Sequence, residues 1–501
     1  MLTPDVSKGS GLMFDTTKLI NFWDKAPRWM RLMVIFLSGG LAGLGQAPFD
    51  APVFMLLGLG IGMWTASWPS SHSHFAHGWI LGGGYFTVAL AWVMQPFLVD
   101  WHATGWMAPF ALVAMAAGLA IFWGCAFAIM KVGKPLLICV ALFAAEVART
   151  YLFTGFPWAL IGYVWIDTPL YQLAALIGPH GMTLLTIAMA YCLVNAWFPY
   201  RLGLIGLALI LQFAPNIETL GPVNGAAVVR LIHPNVVQTE KWDPDRMKSI
   251  YQRHVALMDT DGDVNLIVWP ETSVYLPISL VQGEIAEVAQ GAYVIVGYQN
   301  NFADHQYFNT FGIISPNGDL EAEYHKSRLV PFGEYLPFAK LAAFFGVQRD
   351  AFSAGNGPST LHIPGIGNIQ PLICYEGIFP QFVGATDIRP ELLVLITNDA
   401  WFGEGQGPAQ HFAQARARAI ELGLPMVRVA NRGVSTVIDG KGAYGTSLQG
   451  DDVGFIDLAI PASLLPTFYS RFPWLLTVLM SLFLIMASFF KPYKEFRLTS
   501  V

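Results

Sequence analysis

Residues 369–379 read IQPLICYEGIF, an apolar run bounded by Gly367-Asn368 on one side and Gly377 on the other, and broken by a cysteine. A run of this length between turn residues is the pattern of a short buried strand, which places Cys374 at a strand-to-turn corner. At such a corner a thiol points into a pocket. The next backbone N–H, that of Tyr375, points to the same place, where it can donate to an oxyanion forming on the carbon the thiol attacks. Taken alone, Cys374 reads as one more small buried hydrophobe. The rest of the chain argues for a nucleophile.

The 501 residues are 54% hydrophobic and 12% charged. A soluble domain carries about 25% charged residues, so much of this chain belongs in lipid. Charges are scarce before Pro215 and frequent from Arg230 to Asp457. That distribution predicts an N-terminal membrane domain over 1–218 with about seven helices, a soluble domain over 219–466, and a last hydrophobic helix with its tail over 467–501. About eight spans long enough for a bilayer fall at 29–48, 51–69, 78–97, 107–130, 134–153, 169–198, 201–215 and 472–490. Lys18, Lys25, Arg28, Arg31, Lys131, Lys134, Arg201, Lys491, Lys494 and Arg497 then all lie on one side, which the positive-inside rule makes the cytoplasm. Both termini are expected there and the soluble domain outside. No small-residue cleavage site follows the first apolar run, so that run is expected to remain as an anchor. A net charge of −6 speaks against a nucleic-acid partner.

Cys125, Cys139 and Cys192 lie within the expected spans, which leaves Cys374 as the lone thiol of the exported domain. An unpaired cysteine in an oxidising compartment serves no internal disulfide, and a reactive thiol becomes the better reading. Glu146 and Arg149, near the outer end of the fifth span, precede Thr154-Gly155-Phe156-Pro157-Trp158. Charges at that depth are costly. They read either as a structural ion pair or as part of a lipid site. His72, His74 and His77 have no carboxylate or cysteine beside them, so no metal site is read there.

From Ala226 onward strands and helices alternate, the pattern of an α/β sheet structure. Strands are expected at 227–232, 265–269, 293–299, 308–315, 320–325, 392–397, 426–430 and 434–438, with one more at the end. Helices are expected from Asp243-Pro244 to about Leu257 and from about Gln410 to Leu422. Two further residues fall at strand ends: Glu271 follows NLIVW, and Lys326 follows EAEYH. A thiol of ordinary pKa is mostly protonated at neutral pH. A base such as Glu271 would raise its nucleophilicity, and a fixed cation such as Lys326 would stabilise thiolate and oxyanion. Singly, each charged residue reads as a solvated or salt-bridged surface position. Together they compose a catalytic set.

WPET at 269–272, YHKSRLVPFGEYLP at 324–337 and LICYEG at 372–377 resemble the three signatures of the nitrilase superfamily. GLGQAPF at 43–49, TGFPW at 154–158, and TNDAWFG at 397–403 with QHFAQARARAIE at 410–421 make the chain similar to the membrane-embedded acyltransferase branch of that superfamily. The resemblance implies an αββα sandwich beside a polytopic helical membrane domain, with Glu271 as general base, Lys326 as stabiliser and Cys374 as nucleophile. It also implies supporting roles for Glu334, Tyr375 and Glu376, and an aromatic, Trp242, near the site. The implied reaction takes an acyl chain from a membrane phospholipid. Through a cysteine thioester the chain reaches the α-amino group of the S-diacylglyceryl cysteine that begins an apolipoprotein, the last step of lipoprotein maturation. No cofactor or metal is implied, and the enzyme would act as a monomer in the bacterial inner membrane. Phe338, Leu341, Phe344 and Phe345 form an apolar stripe at helical spacing. It reads equally as core packing or as a lid, with Phe344 and Phe345 as substrate contacts. A membrane-tethered amidase or lipid hydrolase would use the same triad, and a transporter or scaffold would leave it unexplained.

Overall fold

The computed structural model describes residues 16–68, 73–134, 136–195, 198–214, 219, 221, 225–241, 243–258, 262–302, 306–337 and 351–489. Trp242, Phe344, Phe345 and the rest of the stripe at 338–350 lie outside the described residues.

The helical half comprises α1 (Thr16–Lys25), α2 (Arg28–Gly43), α3 (Pro52–Ala66), α4 (His74–Ala89), α5 (Ala108–Ala128), α6 (Leu137–Tyr151), α7 (Ala174–Asn195) and α8 (Phe198–Gln212). Small residues let these helices touch. A Cβ on Gly39 would lie 1.9 Å from the carbonyl oxygen of Leu81, and one on Gly84 1.9 Å from that of Phe36, so α2 and α4 meet backbone to backbone. Helix α7 breaks at Gly178, where φ is +66° and Pro179 follows. The ring of Tyr469 packs where a side chain on Gly178 would stand.

Each expected span falls on a helix, but most of these helices are short. Among the described residues, two are long and apolar enough to cross a membrane, Trp101–Val132 and Pro169–Asn195. A third is gained if His74–Ala89 and Ala91–Leu98, bent by 66°, are taken together. The fifteen residues of α3 reach only about 22 Å at 1.5 Å per residue, against about 30 Å of hydrocarbon. Helix length alone therefore supports fewer spans than the sequence suggests.

The second half is a sandwich of two sheets. One has the strand order β11-β1-β2-β3-β4-β5, with β1 (Val228–His233), β2 (Leu266–Val268), β3 (Tyr293–Phe302), β4 (Gln306–Ile314), β5 (Leu320–His325) and β11 (Gly454–Ala459). The other runs β10-β9-β8-β7-β6, with β6 (Leu361–Ile363), β7 (Gly367–Ile373), β8 (Leu392–Asn398), β9 (Met426–Asn431) and β10 (Thr436–Ile438). In both sheets the central pairs, β1·β2 and β2·β3 or β7·β8 and β8·β9, are parallel, and the outer pairs antiparallel. LLVLITN of β8 is buried at every position, as a strand covered on both faces requires. LEAEYH of β5 exposes Glu321 and Glu323 in alternation, which suits an edge.

Val229, Leu231, Val268, Ile295 and Phe311 of the first sheet face Ile369, Ile373, Val394, Ile396 and Val429 of the second. The outer face of the first sheet carries α9 (Pro244–Met258) and α10 (Ile278–Val288), through Tyr251, Val281 and Ile285. The Asp243 carboxylate accepts from the Asp245 N–H at 3.0 Å and so starts α9 where the sequence predicts. Helix α10 and the three-residue β6 are the elements the sequence reading passed over. The second sheet carries α11 (Gln406–Leu422), whose other side packs on α7.

Helix α11 thus bolts the halves together. Gln410 accepts from the Trp158 indole N–H at 2.6 Å and donates to the carbonyls of Ala47 and Ala89. Arg418 reaches the Tyr163 hydroxyl, and Tyr171 donates to Glu421 at 3.0 Å. The last long helix, α12 (Leu475–Ala487), returns to the helical half, with the Thr477 hydroxyl donating to the Ile177 carbonyl.

Candidate active site

Glu271, Lys326 and Cys374 come from the ends of β2, β5 and β7 and meet at one edge of the sandwich. Cys374 is the first residue past β7 and opens a short 3-10 turn to Ile378. Its φ is +50°, a conformation disfavoured for a residue with a Cβ, and a strained corner of this kind exposes a side chain to a reacting centre. The turn after β2 is similarly tight, with φ +51° at Thr272. It fits because β3 has glycine opposite: a Cβ on Gly297 would lie 2.6 Å from the Thr272 nitrogen and 2.8 Å from the Glu271 Cα.

All three side chains are buried, as Cys374 alone suggested and contrary to the surface reading that Glu271 and Lys326 each invited alone. Glu271 Oε1 accepts from Asn309 at 2.7 Å and from Lys326 Nζ at 3.3 Å, and Oε2 accepts from the Asn398 N–H at 2.9 Å. Lys326 Nζ donates to Glu334 at 2.8 Å, and the other Glu334 oxygen accepts from the Val330 N–H. Burial disfavours charge on Glu271, but the cations of Lys326 and Lys241 and the Asn309 amide outweigh it and hold its carboxyl below the usual range. Burial likewise opposes charge on Lys326, and Glu334 and Glu271 override it, keeping the ammonium protonated. The Cys374 thiol is pushed up, first by burial and then by the Glu271 charge, against the opposing Lys326 charge and a hydrogen bond with Thr397. At rest the site holds a thiol, a carboxylate and an ammonium. Such an arrangement can work only if the carboxylate takes the thiol proton as the sulfur attacks.

Glu376 ties the corner together. One oxygen accepts from the Tyr324 hydroxyl, the Ser327 N–H and hydroxyl, and the Arg328 N–H, at 2.7–3.1 Å. The other accepts from the Ile373 N–H at 2.9 Å. The residue after Lys326 and the residue before Cys374 are thus fixed to one carboxylate. Tyr375 turns towards the helical half, its hydroxyl 3.4 Å from the Gly155 carbonyl and its ring edge-on to Phe379.

The TGFPW segment is held by Arg149. Its guanidinium pairs with Glu146 and donates to the carbonyls of Phe156, Trp158 and Ala159 at 2.7–2.9 Å. Of the two readings of Glu146 and Arg149, the ion pair is the observed one. Trp158 stacks on His411, whose ring nitrogens lie 2.9 Å from Asp399 and 3.3 Å from the Cys374 carbonyl. Arg428 completes the Asp399 pair at 2.7 Å. Asn309, Lys241, Asp399, His411 and Arg428 had no role assigned from sequence. Asp399 and His411 do stand inside TNDAWFG and QHFAQARARAIE, the signal that pointed to them.

A separate cleft of about 260 Å³ lies where the halves meet, lined by Asp167, Thr168, Gln172, Arg416, Lys441 and Tyr444 among others. Its charges are largely answered within it, Arg416 bonding to Asp167 and to the Gly442 carbonyl and lying over the Tyr444 ring.

The paired sheets, with a cysteine, a glutamate and a lysine gathered at their strand ends, define the class: residues 235–449 match the carbon-nitrogen hydrolase family. Residues 38–192 match the apolipoprotein N-acyltransferase N-terminal domain. Curated relatives called apolipoprotein N-acyltransferase include one from Brucella melitensis biotype 1, 34% identical over 92% of this chain and 95% of its own. Another, from Caulobacter vibrioides, is 35% identical over 80% of this chain and 82% of its own. The chain belongs to the apolipoprotein N-acyltransferases, and like them it is an acyltransferase.

Proposed function

We propose that the enzyme moves an acyl chain from a membrane phospholipid to the α-amino group of the S-diacylglyceryl cysteine at an apolipoprotein N-terminus, in two steps through Cys374. In the first, Cys374 Sγ attacks the ester carbonyl while its proton passes to Glu271. The oxyanion is stabilised by the Lys326 ammonium and the Tyr375 N–H. Collapse breaks the ester C–O bond, Glu271 returns the proton to the departing lysophospholipid oxygen, and a thioester remains. In the second, the neutral amine attacks the thioester and Glu271 accepts its proton. The C–S bond breaks, and the proton restores the thiol. Glu334 holds Lys326 between two carboxylates, and Glu376 and Tyr375 hold the corner.

One observation carries this reading: the Cys374 corner is built on the TGFPW segment at the end of α6, so the nucleophile stands at the junction with the apolar half. Both substrates keep their chains in a bilayer and their reacting groups at its surface. A site there needs no lipid extraction. In this reading 1–218 is the membrane domain, 219–466 the exported catalytic domain and 467–501 the returning helix and tail. The bent and short helices complete about eight spans, with both termini cytoplasmic and the sandwich periplasmic. The enzyme works as a monomer, because its own helices cover the far side of α11. Trp242, Phe344 and Phe345 serve as substrate contacts.

Intact mass after incubation with phospholipid and no acceptor tests the proposal. Wild type gains the mass of one acyl chain and Cys374→Ala gains none. A diacylglyceryl-cysteinyl peptide discharges the adduct far faster than water does. An adduct on the alanine variant would sink the mechanism, and equal discharge by water would make the enzyme a hydrolase.

A further inference from the structure

Lys241 stands on the loop between β1 and α9 and is 2% exposed. Among the described residues its ammonium makes one hydrogen bond, 2.8 Å to the backbone carbonyl of Glu271. A buried cation bonded only to a neutral carbonyl is costly unless an anion faces it. The Glu271 carboxylate, on the residue whose carbonyl Lys241 holds, supplies the negative charge that favours the ammonium. The carbonyl it grips opens the turn that continues through Thr272 in its left-handed conformation.

We propose that Lys241 is a positioning residue for the general base: its ammonium fixes the Glu271 peptide and keeps the carboxylate ionised, so that the base is ready for the thiol proton. Lys326 and Lys241 thus flank Glu271, one at the carboxylate and one at the backbone. Lys326 is shared with Glu334, whereas Lys241 serves Glu271 alone among hydrogen-bonded partners. Burial lowers the Lys241 ammonium to about 8, against the raising effect of the Glu271 charge, so it is charged through neutrality. His254 also faces Lys241, and burial lowers it to about 4, which leaves it neutral where the enzyme works.

The inference rests on Glu271 and Cys374 acting as proposed above. The rate of acyl-enzyme formation against pH tests it, in wild type, Lys241→Met, Lys241→Gln and Lys241→Arg, each checked for folding by thermal melting. Glutamine keeps an N–H for the carbonyl and loses the charge. In Lys241→Met and Lys241→Gln the acid limb moves to higher pH, and the rate at pH 5 falls about tenfold more than at pH 7.5. Arginine restores the limb. A lowered plateau with an unmoved limb overturns the inference and leaves the mechanism standing, as does failure of both neutral variants to fold, which makes Lys241 purely structural. No acyl-enzyme in wild type overturns the proposed mechanism and this inference together.

Discussion

At the scale of single residues, the site is governed by buried charges that answer one another. Glu376 shows how much one carboxylate can organise: it accepts five hydrogen bonds from Tyr324, Ser327, Arg328 and Ile373, and none comes from a cation. Glutamine there keeps the shape but turns one acceptor into a donor facing other donors. Leaving such groups unsatisfied costs about 1–3 kcal/mol. Glu376→Gln should therefore cut N-acylated product formation roughly 10–100-fold, if the cost falls on the Lys326 and Cys374 geometry. Wild-type turnover in a folded variant would show that the corner holds without it. The meeting of Glu271, Lys326 and Cys374 was legible in the sequence because Lys326 and Cys374 directly follow strands, Glu271 stands three residues past one, and each sits in a recognisable motif. The grip of Arg149 was not. Its pair with Glu146 was one of the two readings, but its other partners are three main-chain carbonyls, which carry no side-chain signal. Lys241 was silent for the same reason, since it too binds a carbonyl.

At the scale of elements, strand ends deliver the chemistry, and the glycine of one strand makes room for the turn of another. Gly297 on β3 accepts the N–H groups of Ser273 and Val274 through its carbonyl, while its missing side chain admits the Glu271 turn. The three nearest atoms a Cβ would meet there are all backbone, which cannot swing aside. Gly297→Ala should destabilise the protein by about 1–3 kcal/mol and displace Glu271. A melting curve read beside acyl-enzyme formation checks it, and a variant matching wild type in both would refute the close approach. Strand and helix limits were read largely from apolar runs, because sandwich strands buried on both faces leave long hydrophobic stretches. Helix α10 escaped although Ile278, Val281 and Ile285 have helical spacing, and β6 is too short to show any alternation.

At the scale of the whole molecule, the interface between the halves is polar as well as apolar, and one carboxyl there responds to pH. Asp50, between α2 and α3, is raised to about 7 by burial and by the charge of Asp167, with Arg416 opposing. The folded state therefore holds a proton that the unfolded chain releases near pH 4. Its contribution to stability is present at low pH and is lost as pH rises through 7. Asp50→Asn should melt with less pH dependence between 5 and 8, and above wild type at pH 8, by roughly 2–4 °C for each kcal/mol relieved. Parallel melting profiles for the two proteins would contradict the assignment.

Helix α11 carries a consequence for how the chain is made. One side of it covers β7, β8 and β9, and the other meets α7 and the segments around Trp158 and Tyr163. The ribosome delivers those helical partners long before it reaches the second sheet. When Gln406–Leu422 emerges, the surface it will bind is already present, and the late strands are laid down on an assembled floor. The order of the chain from its N-terminus is thereby also an order of assembly, in which the apolar half acts as template for the half that carries Cys374.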